Sequence, residues 1–360
     1  MQGADYWKKR AEQIILSAEQ SVLSYEVKLA QAYEVALFEI RKDMDAFFQK
    51  YANENKVTYM EARKRLTSVE KVTFNALLKE WYQTAQTLGL SPEFKQYLST
   101  LGKKVYITRL ESLEASIKYE IERLKNSQFN WMSELVETNY TAGYYSSYFV
   151  FAKGVEGSVN FATINKSGVE LAVKTRWDGR NYSDSVWADK ARLEKQLTVL
   201  LPQSFSRGLS SNEIGTMLAK EFNVSQNRGR TLARTEINYL CNRASLDMYK
   251  VAGVESYEFL ATLDLRTSEI CRGLDGYIGK VSLAKVNVNY PPMHPNCRST
   301  TIPYFADDDI EDRIARNEDG ENIKVPRSMT QEKWINTYAP EEQRDSLLKF
   351  LKRYPPSTPF

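Results

Sequence analysis

The sequence predicts a mainly α protein with a small α+β module near its C-terminal end. Three observations carry this. The first is a long stretch without proline or glycine, Tyr6 to Tyr51, whose apolar residues recur at steps of mostly three and four. The second is a series of further helical patterns up to about Val251. The third is an abrupt change over 255–305 to short strand-like runs, turns and loops. Apolar residues make up 42% of the 360 and aromatics 12%, enough for a buried core and too much for wholesale disorder.

The first helix is the longest. Trp7, Ala11, Ile14, Ala18, Val22, Leu29, Ala32, Ala36, Ile40, Met44 and Phe47 mark one face. At 1.5 Å per residue, about 45 residues span roughly 65 Å, so this element is either a bundle core or an arm for a partner. Thr67 to Leu88 is the next periodic segment, ending near Gly89. Ser91-Pro92 then reads as an N-cap followed by proline at the first helical position. Val105 to Asn126 is again helical, and Asn130 to Phe151 continues in helical style with Tyr140, Tyr144, Tyr145, Tyr148, Phe149 and Phe151. Tyrosines at this density suit a core or interface, with base stacking as the rival use.

Residues 152–181 read as a loop or short strands, from the glycines and the alternation in Gly168-Val169-Glu170-Leu171-Ala172-Val173, with a turn at Trp177-Asp178-Gly179. Helices resume from Ser183 to Leu201, from Ser210 to Phe222 and from about Ser225 to Val251. Ser210 and Glu213 have capping-box spacing. Tyr257–Leu263 and Ser299–Tyr304 are strand-like. The resulting division is a long-helix region 1–126, a helical part 127–254, a Cys/His module 255–305, an acidic linker 306–329 and a helical tail 330–360 with a proline-rich tip. The linker assignment rests on eight acids between Asp307 and Glu321 against two arginines.

Charge and composition exclude several functions. Lys+Arg 49 against Asp+Glu 46 leaves a net charge of +3, too little for a protein that coats nucleic acid over its whole surface. One histidine, His294, excludes two-histidine metal cages and HExxH hydrolases. Three cysteines exclude a disulfide-dense scaffold. No phosphate-binding glycine loop is present, no run of about 18 apolar residues predicts a membrane span, and charges stand where a signal peptide needs its apolar stretch. A cytoplasmic site of synthesis is the expectation.

Chemistry concentrates between residues 234 and 299. Cys271, His294 and Cys297 offer two thiolates and an imidazole, which are zinc-type ligands, and His294 and Cys297 lie three apart on a proline-stiffened loop. Zinc needs a fourth ligand, which could be Asp264 or Glu236 as weak candidates, water, or Cys241 if the fold brings it close. The competing reading makes the cysteines packing residues and His294 a hydrogen-bonding loop residue. Arg234 and Glu236 read as a helix-borne ion pair, and Arg298 as a capping or phosphate-binding residue. Arg228 and Arg230 form the densest basic cluster, suited to weak contact with DNA phosphates or simply to a solvated helix face.

The ordered set Arg234-Thr235-Glu236, Leu263-Asp264-Leu265-Arg266-Thr267 with Cys271, Leu274-Asp275-Gly276, and Pro291-Pro292-Met293-His294-Pro295-Asn296-Cys297-Arg298-Ser299 resembles the signature of the phage head morphogenesis family. These are minor head, or minor capsid, proteins of tailed phages, similar to the F protein of phage Mu. Trp177, Gly179, Asn181 to Asp184, Trp187 and Gly208-Leu209-Ser210 also resemble that family, so the likeness covers about 130–305. Ser268 and Ser299 stand where many such proteins carry further cysteines. The resemblance implies a structural role without catalysis, in low copy in the virion. Its implied partners are the portal protein, a major capsid or scaffolding protein and non-specific double-stranded DNA, with no membrane. It marks Arg234, Glu236, Asp264, Arg266, Thr267, Asp275, Gly276, Pro292, Asn296 and Arg298 as structural motif residues. The rival classes are a metal-dependent hydrolase or toxin-associated protein using Cys271, His294 and Cys297, and a non-specific DNA-binding protein.

Overall fold

The computed structural model describes residues 4–154, 164, 166–305, 312–316, 322–326, 331–338, 341 and 344. Its helices are α1 (Ala4–Tyr51), α2 (Tyr59–Ala62), α3 (Ser68–Thr87), α4 (Pro92–Lys103), α5 (Arg109–Gly154), α6 (Lys166–Lys174), α7 (Tyr182–Ser206), α8 (Ser211–Val251), α9 (Glu269–Leu274) and α10 (Gln331–Tyr338). The strands are β1 (Ser256–Leu260), β2 (Ile278–Lys280), β3 (Thr300–Tyr304), β4 (Asp312–Arg316) and β5 (Asn322–Pro326). The fold is mainly α with a small α+β module. No described helix is long and apolar enough to cross a membrane.

The chain divides into two compact units that are discontinuous in sequence. One comprises 1–23, 134–181 and 231–360, and the other 24–133 and 182–230. Helices α1, α5 and α8 each contribute residues to both. The buried positions of α1 explain its length. Ala18, Leu29 and Ile40, then Val22, Tyr33 and Met44, then Tyr25, Ala36 and Phe47 recur at eleven residues. Eleven residues are close to three turns, so the buried stripe stays on one face. The stripe takes Tyr33 rather than Ala32 and adds Tyr25, because a tyrosine ring buries as an apolar body.

In the unit of 24–133 and 182–230, α3 starts on a capping box. Thr67 Oγ1 accepts from the Glu70 N–H at 3.3 Å and Glu70 Oε2 accepts from the Thr67 N–H at 2.8 Å. Ser91 caps α4, accepting from the Phe94 N–H at 3.3 Å. Phe74, Leu78, Trp81, Phe94, Leu98 and Tyr119 belong to one core cluster between α3, α4 and α5, with Trp81 and Tyr119 stacked at 5.0 Å. Beneath α7 lies a buried cation. The Lys125 ammonium is 2.8 Å from Asp189 Oδ2 and donates to Tyr33 Oη at 2.6 Å, Gln128 Oε1 at 2.9 Å and Ser225 Oγ at 2.9 Å.

Three expectations need correction. The stretch from 166 to 174 is helical, not stranded. Val169, Ala172 and Val173 also fit a helical step, and Ala172 and Val173 are buried while Leu171 is exposed. Residues 211–251 form one helix rather than two, and Ser225 accepts from Lys125 instead of capping a new start. Helix α5 likewise runs through 126–130, with Asn126 Nδ2 donating to the Leu88 carbonyl at 3.1 Å.

In the unit holding 231–305, β1 lies between β2 and β3, antiparallel to both. Glu258 pairs with Ile278 on one side and Ile302 on the other. Tyr257 and Phe259 have no exposed surface. The Lys8 ammonium lies 3.7 Å from the buried Glu258 carboxylate, tying α1 to this sheet. Strands β4 and β5 pair antiparallel within the acidic stretch. Most of that stretch, and the proline-rich tip beyond α10, lie outside the described residues.

Candidate metal centre

The module is built on loops that the sheet and α8 hold in place. Ser268 caps α9, accepting from the Cys271 N–H at 3.3 Å, which sets Cys271 in the first turn of that helix. Asp275 Oδ1 then accepts from the Ala261 N–H at 3.0 Å, and the Gly276 N–H bonds to the Phe259 carbonyl at 2.9 Å. Gly276 has φ of +77°, a conformation that glycine adopts at no steric cost. These bonds fasten α9 to β1.

The second loop runs from the cis Pro291–Pro292 bond to β3. The Cys297 N–H bonds to the His294 carbonyl at 3.1 Å, closing a tight turn. Asn296 has φ of +59°, which asparagine tolerates better than most residues, and its N–H bonds to Thr235 Oγ1 at 3.0 Å. The Ser299 carbonyl accepts from both Asn238 Nδ2 and Asn242 Nδ2 at 3.1 Å. Tyr290 Oη donates to the Asn242 carbonyl at 2.9 Å. Asn238, Asn242 and Tyr290 were not singled out by the sequence reading. Two asparagines four apart on the apolar side of a helix were the available signal.

These loops bring Cys271, His294 and Cys297 together. Cys271 Sγ is 3.3 Å from His294 Nε2 and 3.7 Å from Cys297 Sγ. All three donor atoms lie within 4.8 Å of one another. His294 Nδ1 lies 2.8 Å from the Pro295 carbonyl, which can accept only a proton from it, and Nε2 is turned toward the sulfurs. Phe259, Ala261 and Met293 form a buried apolar cluster with the two cysteines. The thiol pair shares its charge unevenly. The Cys271 hydrogen bond, against the effect of burial, draws Cys297 down to about 4, helped by His294. The same bond and burial push Cys271 up. The bond to Cys297 raises His294, with burial opposing.

Neither carboxylate candidate, Asp264 or Glu236, belongs to this group, and nor does Cys241. The Asp264 carboxylate is taken by Arg298, whose two terminal nitrogens donate to Oδ2 at 2.5 Å and Oδ1 at 2.8 Å. It also accepts from the Arg266 N–H and Thr267 Oγ1, each at 2.9 Å. Although burial acts the other way, these donors hold Asp264 below the usual carboxylate range. Arg266 itself is largely exposed, 3.9 Å from Asp264. Glu236 is buried on α8 and accepts from Trp177 Nε1 at 3.4 Å rather than pairing with Arg234, since residues two apart on a helix do not face each other. Trp177 stacks on Tyr239 at 5.1 Å. Burial pushes the Glu236 carboxyl up to about 7, with the Trp177 bond opposing and Asp178 adding to the rise.

Arg234 is exposed on α8 and lines an open cavity of about 420 Å³ with Arg266, Asn296, Cys297 and Arg298. Arg228 is exposed, 3.5 Å from Asp189, so part of its charge is already engaged. Arg230 is half-buried.

Within the motif, Asp264, Arg266, Thr267 and Arg298 bond to one another, while Glu236, Asp275, Gly276 and Asn296 bond to Trp177, Ala261, Phe259 and Thr235. Residues 195–302 match the family described as Phage Mu protein F like protein. The match spans α8, the sheet and the Cys/His loops, and it supports the resemblance to phage head morphogenesis proteins. No curated protein and no solved structure matches the chain.

Proposed function

We propose that this chain is a minor head protein of a tailed phage or prophage, held in low copy at the portal inside the procapsid. There it assists capsid assembly, DNA packaging or ejection. The observation that carries this reading is the family match over 195–302, which covers the Asp264–Arg298 pair and the Cys/His loops. The motif residues suit a structural role. Asp264, Arg298, Thr267, Asp275 and Asn296 are spent on holding loops, which favours assembly over turnover. The portal protein is the proposed partner, with a major capsid or scaffolding protein beside it. The proposed location is the virion interior, after assembly in the host cytoplasm.

Protein mass spectrometry of gradient-purified procapsids and mature particles tests this. The expected result is peptides of this chain in both, at a small fraction of the major capsid protein. Absence from both particles sinks the proposal. Contact with packaged DNA belongs to the same reading, through Arg228 and Arg230 acting on phosphates without sequence preference. Retention on DNA should fall steeply with salt and weaken in an Arg228→Ala, Arg230→Ala variant. Unchanged retention dismisses that patch.

A further inference from the structure

We propose that Cys271, His294 and Cys297 bind one zinc ion, with a solvent oxygen as the fourth ligand. This site does not depend on the head-protein role. The argument is geometric. Tetrahedral zinc, with Zn–S of about 2.3 Å and Zn–N of about 2.0–2.1 Å, holds two sulfurs about 3.8 Å apart and a sulfur and nitrogen about 3.6 Å apart. The chain places its two sulfurs 3.7 Å apart and Cys271 Sγ 3.3 Å from His294 Nε2. The third edge, from Cys297 Sγ to the His294 ring, is no longer than 4.8 Å. A disulfide needs its sulfurs at about 2.05 Å, and all three cysteines are unbridged.

Two further features belong to a ligand set rather than to a packing cluster. The Pro295 carbonyl, 2.8 Å from His294 Nδ1, fixes the ring so that Nε2 faces the sulfurs. Phe259, Ala261 and Met293 pack with the two thiols in one buried apolar cluster, which lowers the local dielectric around the donors. The three donors come from α9 and from the loop before β3, held by bonds to Ala261, beside β1, and to α8. A shared ion would therefore fasten α9 to the loop before β3, two segments joined by no disulfide.

Asp264 is committed to Arg298, so the fourth position falls to solvent; Cys297 and Asn296 also line the neighbouring open cavity. Binding displaces the remaining thiol protons to solvent. Two thiolates and a neutral imidazole then neutralise the divalent ion.

The test uses the untagged full chain, purified without chelator and analysed for metal. About one zinc per chain is expected. Exchange with Co²⁺ should give a thiolate-to-cobalt charge-transfer band and the intense visible bands of a tetrahedral site. Cys271→Ser and Cys297→Ser should each weaken the charge-transfer band by about half, whereas His294→Ala should shift the visible bands and spare most of it. Far-UV circular dichroism checks that the variants remain helical. The wild-type chain decides the matter by itself if they do not. Less than about a tenth of an equivalent of zinc, together with no cobalt band, overturns the proposal. So does a chain that, blocked under denaturing conditions, carries one adduct on its three cysteines and yields a Cys271–Cys297 cross-linked peptide, which would mark a disulfide.

Discussion

Arg298 grips Asp264 through two parallel hydrogen bonds, at 2.5 and 2.8 Å, across 34 residues of chain. The pair joins the Leu-Asp-x-Arg-Thr segment to the Pro-Asn-Cys-Arg loop, and both partners are largely shielded from water. A bidentate carboxylate–guanidinium pair is specific as well as strong, and removing one partner strands the other charge. Asp264→Ala should therefore cost about 2–4 kcal/mol in urea unfolding. Arg298→Lys should lose a large part of the same, because an ammonium cannot form the double bond. A loss below about 0.5 kcal/mol in both would show that the loops hold without it.

Glu236 makes the 231–305 module weaker at alkaline pH. Its folded carboxyl, raised by burial to about 7, binds a proton that the unfolded chain has already released. The folded state thus holds the extra proton between the ordinary glutamate range and about 7, and stability falls as pH rises through that window. Below the window both states are protonated and the full contribution is present. Glu236→Gln should raise stability at pH 8 by on the order of 1–3 kcal/mol and change little at pH 4, in chemical denaturation at each pH. An equal effect at both values would mean the carboxyl is not perturbed.

The buried Lys125–Asp189 pair should respond unequally to loss of each partner. Lys125 is fully buried, so Asp189→Ala leaves an ammonium with only neutral oxygens around it. Lys125→Met leaves Asp189 with Arg192 at 3.1 Å and Arg228 at 3.5 Å. The first change should cost about 3–5 kcal/mol and the second distinctly less, read from urea midpoints at constant slope. The reverse order would mean that the aspartate, not the lysine, bears the cost of burial.

How much of this was legible differs by scale. Periodicity located α1 and α3 closely, and the Ser91–Pro92 start signal located α4, because it acts within a single turn. The two-strand reading of 257–304 reached β1 and β3 but not β2, which is only three residues long. At the site, ligand chemistry and spacing brought Cys271, His294 and Cys297 into view. The partners of Asp264 and Glu236 did not follow from spacing, since Arg298 and Trp177 reach them through tertiary folding. The same is true of Tyr33, Lys125, Asp189 and Ser225, four polar residues from four helices whose meeting no local pattern records.

The break expected between Phe222 and Ser225 offers the sharpest test of helix α8. Serine is a common N-cap and so resembles a helix start, yet Ser225 is buried and bonds to Tyr33 at 2.7 Å and to Lys125 at 2.9 Å. That placement requires regular helix on both sides, so that the hydroxyl points inward while Val224 and Gln226 turn away. Val224→Pro would remove one backbone donor and clash with the carbonyl four residues earlier, costing about 3 kcal/mol or more in a helix interior. At a loop between two helices the same change would be nearly neutral. Val224→Ala is the control, since this side chain is partly exposed and alanine favours helix. A proline variant with unchanged urea midpoint and helicity would show that the helix is interrupted there, and would also dissolve the geometry that holds Ser225 against Lys125.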